Sequence, residues 1–264
     1  MTEMMMSSPD FAKILAMAQE ASKITPARWA ELMEIMKVDA DMNRLMKSQW
    51  FSKPRDSEEA VREYYRTSDI WFVNTFTHGH AALVLMATEA KVDALPPDHV
   101  FHPLTNDFQL SGWILDYGGG FWNDTWVLAA KGYRVVQAEV KGPVTKLMKM
   151  FIEEYGFHLS LDVVEVETDN PLQAMYDGIV CFETLEHLKE PAFFMGHLAK
   201  HLHSGQPFVY SASFGAPEHA PYHVAENAHL SNQTLWGDVM RSAGLLPHWK
   251  AKDGHRQIWK RRMA

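Results

Sequence analysis

The residues best spaced for chemistry begin in the run Trp113-Ile-Leu-Asp116-Tyr-Gly118-Gly119-Gly120. An apolar stretch ends in an acid and meets three glycines at once. That is the order of a buried parallel strand, a tight turn and a helix start, with the helix opening at Asn123 or Asp124. Glycine reaches positive φ and lets a ligand approach where a Cβ would collide. About 20 residues further on, where nucleotide-binding βαβ units place an acid that accepts ribose hydroxyls, stands Glu139. Asp116, the glycines and Glu139 are thus spaced to hold a nucleoside-type ligand, with an acid beside it in place of a phosphate-gripping Lys.

The elements that must position these groups follow from periodicity. Residues 1 to about 100 read as helices. Thr25 caps, Pro26 takes the first helical position, Ile24 staples onto Trp29, and Trp29, Leu32, Met33 and Met36 share a face. Further helices begin near Ser57 and run from Asp69 to Lys91, and Pro96-Pro97 ends the region. From Ser111 the pattern alternates. Strands are expected at Trp113–Asp116, Tyr133–Val140, Leu161–Val166, Gly178–Phe182 and Pro207–Ala212. Between Pro143 and Gly156, Val144, Leu147, Met148, Phe151, Ile152 and Tyr155 form one apolar helix face. Pro191 opens a helix to His203, Ser231 caps a last one to Ala243, and Leu246–Ala251 with His255–Arg261 form a hairpin around Asp253-Gly254. Such alternation means a parallel sheet with helices on both faces, and ligands then sit at the strands' carboxyl ends. Asp116–Gly120, Glu139, Asp169 and Phe182–His187 all fall there.

Composition narrows the partners. A net charge of −8 opposes a nucleic-acid surface, and the basic run Lys250–Arg262 alternates with apolar residues as a solvated strand face would. The single cysteine, Cys181, allows no internal disulfide and suits a reducing compartment. The N-terminus lacks a signal-peptide pattern and no apolar stretch reaches membrane-spanning length, so a cytoplasmic protein without membrane contact is expected.

The combination of Leu-Asp116-Tyr-Gly118-Gly119-Gly120, Glu139 at a strand end, Thr168-Asp169 after the third strand and Tyr-Asp-Gly-Ile-Val-Cys-Phe182-Glu183-Thr-Leu-Glu186-His187 resembles the class I S-adenosylmethionine-dependent methyltransferases. The resemblance implies a Rossmann-like seven-stranded α/β sheet with helices on both faces over residues 106–264. Residues 1–105 then form a helical lid or substrate-recognition region. It implies S-adenosylmethionine as cofactor: Asp116 and the backbone of Gly118, Gly119 and Gly120 at its methionine end, Glu139 on the ribose hydroxyls, Asp169 on the adenine amino group, and the backbone of Phe182 and Glu183 alongside. Trp122 departs from the pattern, standing where the family has a third glycine.

Glu183-Thr-Leu-Glu186-His187 further resembles the Glu-x-x-Glu-His stretch of ubiquinone-biosynthesis O-methyltransferases and small-RNA 3′-end methyltransferases. There the two carboxylates and the His, with a distal His, can hold a divalent metal; here the distal group would be His223. The preferred of the two readings is metal-free, with Glu186 and His187 holding the loop and His187 or His223 serving as general base. The implied activity is methyl transfer to a small-molecule acceptor, oxygen favoured over nitrogen. The apolar, aromatic composition of the N-terminal helices makes Tyr64, Tyr65, Trp71 and Phe72 the expected lining of much of the acceptor pocket. Two other readings stand behind it. A nicotinamide-dependent oxidoreductase would need glycine at Asn123. A non-catalytic partner subunit would leave Asp116, Glu139 and Asp169 without purpose. Sequence does not fix the oligomeric state.

Overall fold

The computed structural model describes residues 9–38, 58–87, 99–120, 125–157, 160–166, 172, 174–214, 225–252 and 254–263. Helices α1 (Pro9–Ser22), α2 (Pro26–Val38), α3 (Glu58–Thr67), α4 (Asp69–Ala87) and α5 (Phe101–Asp107) precede the first strand. There follow β1 (Trp113–Tyr117), α6 (Thr125–Ala130), β2 (Arg134–Val140), α7 (Pro143–Tyr155), β3 (Leu161–Val166), β4 (Gly178–Phe182), α8 (Pro191–Lys200), β5 (Pro207–Ser211), α9 (Gln233–Ser242), β6 (Leu245–Lys250) and β7 (Gln257–Arg261). The seven strands form one sheet in the order β3-β2-β1-β4-β5-β7-β6. The pairs from β3 to β5 are parallel, while β7 runs antiparallel to both β5 and β6. Strand order therefore reverses between β1 and β4, where open α/β sheets hold their ligands.

Side chains alternate between two cores, as period-two strands require. Ile114, Val135, Val180, Val209 and Ile258 face one side, with Leu147 and Phe151 of α7 and with Ile14, Trp29, Phe72 and Leu104 from the N-terminal helices. Leu115, Val136, Ile179, Phe208 and Trp259 face the other, against Met195, Leu198, Trp236 and Met240 of α8 and α9. The N-terminal helices thus complete one core of the sheet. Trp29 sits edge-on to Phe72 and Phe76, with ring centres 6.2 and 5.3 Å apart.

Helix ends follow local chemistry. The Thr25 hydroxyl accepts the Arg28 N–H at 3.2 Å. Gly156, at φ +75°, donates to the Ile152 carbonyl and closes α7. Four expectations need correction. The cap of α9 is Asn232, whose side-chain oxygen accepts from Thr234 and Leu235, because its extended backbone aims that oxygen at the first turn; Ser231 belongs to the preceding 3-10 turn. A short helix, α5, follows Pro96-Pro97, burying Phe101 and Leu104. α8 stops at Lys200, short of His203. Finally, the basic C-terminal run is only in part a solvated face: Arg261 donates to the carbonyls of Ala199, Lys200 and Leu202 at the end of α8, and Ile258 and Trp259 are buried.

Candidate active site

The glycine turn is held from two sides. Gly118, at φ +71°, donates its N–H to the Ala138 carbonyl at 2.8 Å. A Cβ on Gly118 would lie 2.4–2.5 Å from the Thr184 side chain, whose hydroxyl reaches the carbonyls of Tyr117, Gly118 and Phe182 at 3.3, 3.2 and 2.9 Å. Only glycine fits between β1 and the loop after β4. On the other side, Gln137 and Glu139 point the same way from β2. The Gln137 amide donates to the Gly120 carbonyl at 2.9 Å, and the Glu139 carboxylate accepts the Gly120 N–H at 3.0 Å. Glu139 also accepts its neighbour Val140's N–H at 2.8 Å. Burial pushes the Glu139 carboxyl up, against the two N–H groups and the Arg62 guanidinium of α3, which favour its charged form. Asp116 is fully buried beneath the turn.

These residues fit the adenosyl group the sequence implies. An ionised carboxylate offers about four acceptor positions, and backbone N–H groups take two of Glu139's, which leaves capacity for a diol. Around a Cβ built on Gly120, at φ +51°, no described atom lies within 4 Å.

A second cluster lies at the ends of β4, β5 and β7. Glu183 adopts φ +46°, a left-handed conformation rare outside glycine. One carboxylate oxygen accepts the Ser213 hydroxyl at 2.6 Å; the other lies 2.8 Å from His255 Nε2. Burial works to raise Glu183, but Ser213, Ser211 and His255 outweigh it and hold the carboxyl below its usual value. Glu186 behaves oppositely. It is buried, accepts the Ser213 N–H at 3.1 Å, and is pushed well above the usual range by burial first and by the Glu183 charge second. Their surroundings therefore push the two carboxyls in opposite directions.

Beside it, the Arg256 guanidinium lies 5.3 Å from the centre of the Phe182 ring and 3.1 Å from His99 Nε2. The Phe101 and Phe182 rings are 6.2 Å apart. His99, Arg62, Ser213, His255 and Arg256 were all missed from sequence. A signal existed for two of them. An antiparallel β7 must begin at the edge where the parallel strands end, so the hairpin turn delivers His255 and Arg256 to the site.

Of the sequence-predicted residues, Asp116, Gly118, Gly119, Gly120 and Glu139 meet at the ends of β1 and β2. Phe182, Glu183, Glu186 and His187 follow at β4, with His187 half-buried on a 3-10 turn. Phe72, expected in an acceptor pocket, packs in the core against Trp29. Asp169, His223 and Trp122 lie outside the described residues. Among the described residues, no group of three His, Cys, Asp or Glu side chains is placed to hold a metal ion.

No family model matches the chain. A ubiquinone biosynthesis O-methyltransferase from Rickettsia conorii is 26% identical over 136 residues, which cover 49% of this chain. The match spans only 45% of that relative's length. An O-methyltransferase family protein from Burkholderia thailandensis superposes with a TM-score of 0.54 at 11% identity, over 93% of this chain and 76% of that one. The fold is that of the class I S-adenosylmethionine-dependent methyltransferases. The mitomycin 7-O-methyltransferase MmcR shares it at a TM-score of 0.50 and 13% identity, over 97% of this chain and 74% of that one. Both superpositions extend through the N-terminal helices, so the methyltransferase sheet and its helical addition recur together.

Proposed function

We propose that this protein transfers a methyl group from S-adenosylmethionine to a hydroxyl oxygen of a small-molecule acceptor. The observation that carries the reading is the joint between the two halves of the first βαβ unit. Glu139 at the end of β2 accepts the Gly120 N–H of the turn after β1, the strand that carries buried Asp116. An acid in that joint would meet the ribose hydroxyls of a nucleoside ligand. When bound, the cofactor supplies a methyl carbon already activated by the sulfonium charge. Gly118 to Gly120 would take its methionine end, and Asp169 its adenine.

The chain's own residues then have three tasks. Phe182, with Phe101 beside it, would exclude water from the space above β4. Thr184 fixes the turn so that donor and acceptor can lie in line. A hydroxyl acceptor must also lose its proton. His255 is one candidate, since Glu183 at 2.8 Å from its Nε2 would hold the ring in place. His187 and His223 remain alternatives on the loops after β4 and β5, and a metal at Glu183, Glu186, His187 and His223 is the second way to activate the hydroxyl.

Calorimetry with S-adenosylmethionine tests the reading, with NADH as the contrasting ligand. S-adenosylmethionine should bind the native protein and lose affinity in Glu139→Ala. Binding of NADH alone would place the chain among oxidoreductases. S-adenosylmethionine binding without formation of S-adenosylhomocysteine on any phenolic acceptor would make it a binding subunit.

A further inference from the structure

Another pair of side chains suited to chemistry lies at the opposite edge of the sheet from the glycine turn. The connection between parallel β4 and β5 must return to the amino edge, and α8 makes that return, ending at His201 before β5 begins at Pro207. His197 and His201 stand four residues apart, so their side chains share one face of the helix. Their ring centres are 4.8 Å apart and their planes cross at 61°. The last turn is tightened, with the His201 N–H donating to the Leu198 carbonyl at 3.0 Å. Both residues are half-buried.

The tautomer of His201 follows from its partner. Its Nδ1 lies 2.8 Å from the Ala174 carbonyl oxygen. A carbonyl can only accept, so Nδ1 carries a proton and the neutral ring keeps its lone pair on Nε2. One imidazole nitrogen donating to a backbone carbonyl while the other coordinates is the usual arrangement of a metal-bound histidine. Neither Nε2 of His201 nor either ring nitrogen of His197 has a hydrogen-bond partner among the described residues.

The spacing agrees with a shared ion. A metal with nitrogen ligands at about 2.0–2.1 Å stands roughly 3 Å from each ring centre, which puts two rings at tetrahedral positions about 5 Å apart. Two histidines one helical turn apart form such a zinc pair in helical metal motifs. Imidazole selects zinc, copper and nickel, whereas magnesium and calcium take oxygen ligands.

We propose that His197 and His201 bind a divalent transition-metal ion of the zinc and copper class, with water completing its shell. The ion would brace the end of α8 and, through His201, the Ala174 segment that leads into β4. This site lies away from the methyl-transfer edge and does not rest on that reading.

Zinc chloride titrated calorimetrically into the untagged full chain, with magnesium present in the buffer, tests the proposal. One ion should bind, and His197→Gln should weaken it about tenfold or more, because a single imidazole loses the advantage of chelation. Absence of zinc binding, an affinity unchanged in His197→Gln, or competition by magnesium would each overturn it. The chain has 14 histidines, so the native protein also needs a readout that locates the ion. Substoichiometric copper(II) broadens the signals of nuclei near it. The ring resonances of His197 and His201 should disappear before those of the other histidines, and earlier loss at any other histidine would sink the assignment.

Discussion

Two carboxylate clusters sit on the same sheet edge, and they are built on opposite principles. At the end of β2, Glu139 is buried and its partners are backbone N–H groups from its own neighbour and from the glycine turn. Its job is geometric: it sets the shape of a turn and presents what remains of its acceptor capacity. At the end of β4, Glu183 and Glu186 are separated by environment, one half-exposed beside His255 and held below its usual value, the other buried and pushed above it. Their job is to hold protons in defined places. One edge thus separates holding a cofactor from moving a proton, and the difference lies in whether backbone or titratable side chains surround the acid.

Glu139→Ala should give the largest effect on binding. Losing charge-assisted hydrogen bonds of roughly 1.5–3 kcal/mol weakens binding by about 10- to 100-fold, read as S-adenosylmethionine affinity. Glu183→Gln should instead leave that affinity within about threefold while turnover falls by about 100-fold, because the His255 base loses the carboxylate that holds it. If both variants lost affinity equally, the division of labour would not hold.

Gly118→Ala and Gly120→Ala sharpen the comparison inside the first cluster. Both need positive φ, which costs a Cβ-bearing residue about 1–2 kcal/mol. Only Gly118→Ala also drives its methyl into Thr184, adding strain of about 1–3 kcal/mol. Thermal denaturation should therefore rank Gly118→Ala well below Gly120→Ala, with Thr184→Ala partly rescuing the first and not the second.

The first cluster was legible in sequence and the second only in part, for a physical reason. Asp116, the glycines and Glu139 belong to one βαβ unit, where spacing along the chain fixes spacing in space. The β4 cluster is assembled from four separate stretches. Glu183 and Glu186 were visible as a motif, but their partners Ser213 and His255 arrive from the end of β5 and from the β6–β7 turn, which also brings Arg256 over Phe182. His99 comes from the helical region more than 80 residues before the motif. Periodicity identifies such elements without saying which of their residues end at one edge. Strand order supplies that, and β7 lies beside β5 only because the last strand inserts antiparallel into the sheet.

The opposite titration of the β4 pair predicts a distinct pH signature. Glu186 is raised above its ordinary 4.5, so the stability it contributes is present below that value and lost as pH rises through its folded-state pKa. Glu186→Gln keeps the shape of the protonated acid and removes this loss. The variant should equal or exceed the native melting temperature near pH 7, and its advantage should vanish toward pH 4.5. Glu183 is lowered, so its contribution is present above 4.5 and disappears as pH falls through its folded value. Glu183→Gln should accordingly melt below the native protein at neutral pH and converge with it in acid. Parallel curves for the two variants would mean that the carboxyls share one environment.

The smallest effect is expected at Arg62, which connects the helical region to the first cluster. α3 lies across the end of β2 so closely that a Cβ on Gly142 would stand 3.7 Å from the Arg66 Cα. One turn earlier, buried Arg62 favours the charged form of Glu139 through its positive charge. A charge that ranks behind the two backbone hydrogen bonds in its effect on Glu139 should be worth less than those bonds. Arg62→Gln should therefore weaken S-adenosylmethionine binding only about three- to tenfold, and the loss should shrink as pH rises and Glu139 ionises without help. A loss as large as that of Glu139→Ala would mean that the N-terminal helices are part of the cofactor site itself, and that the backbone-built cluster depends on a titratable neighbour after all.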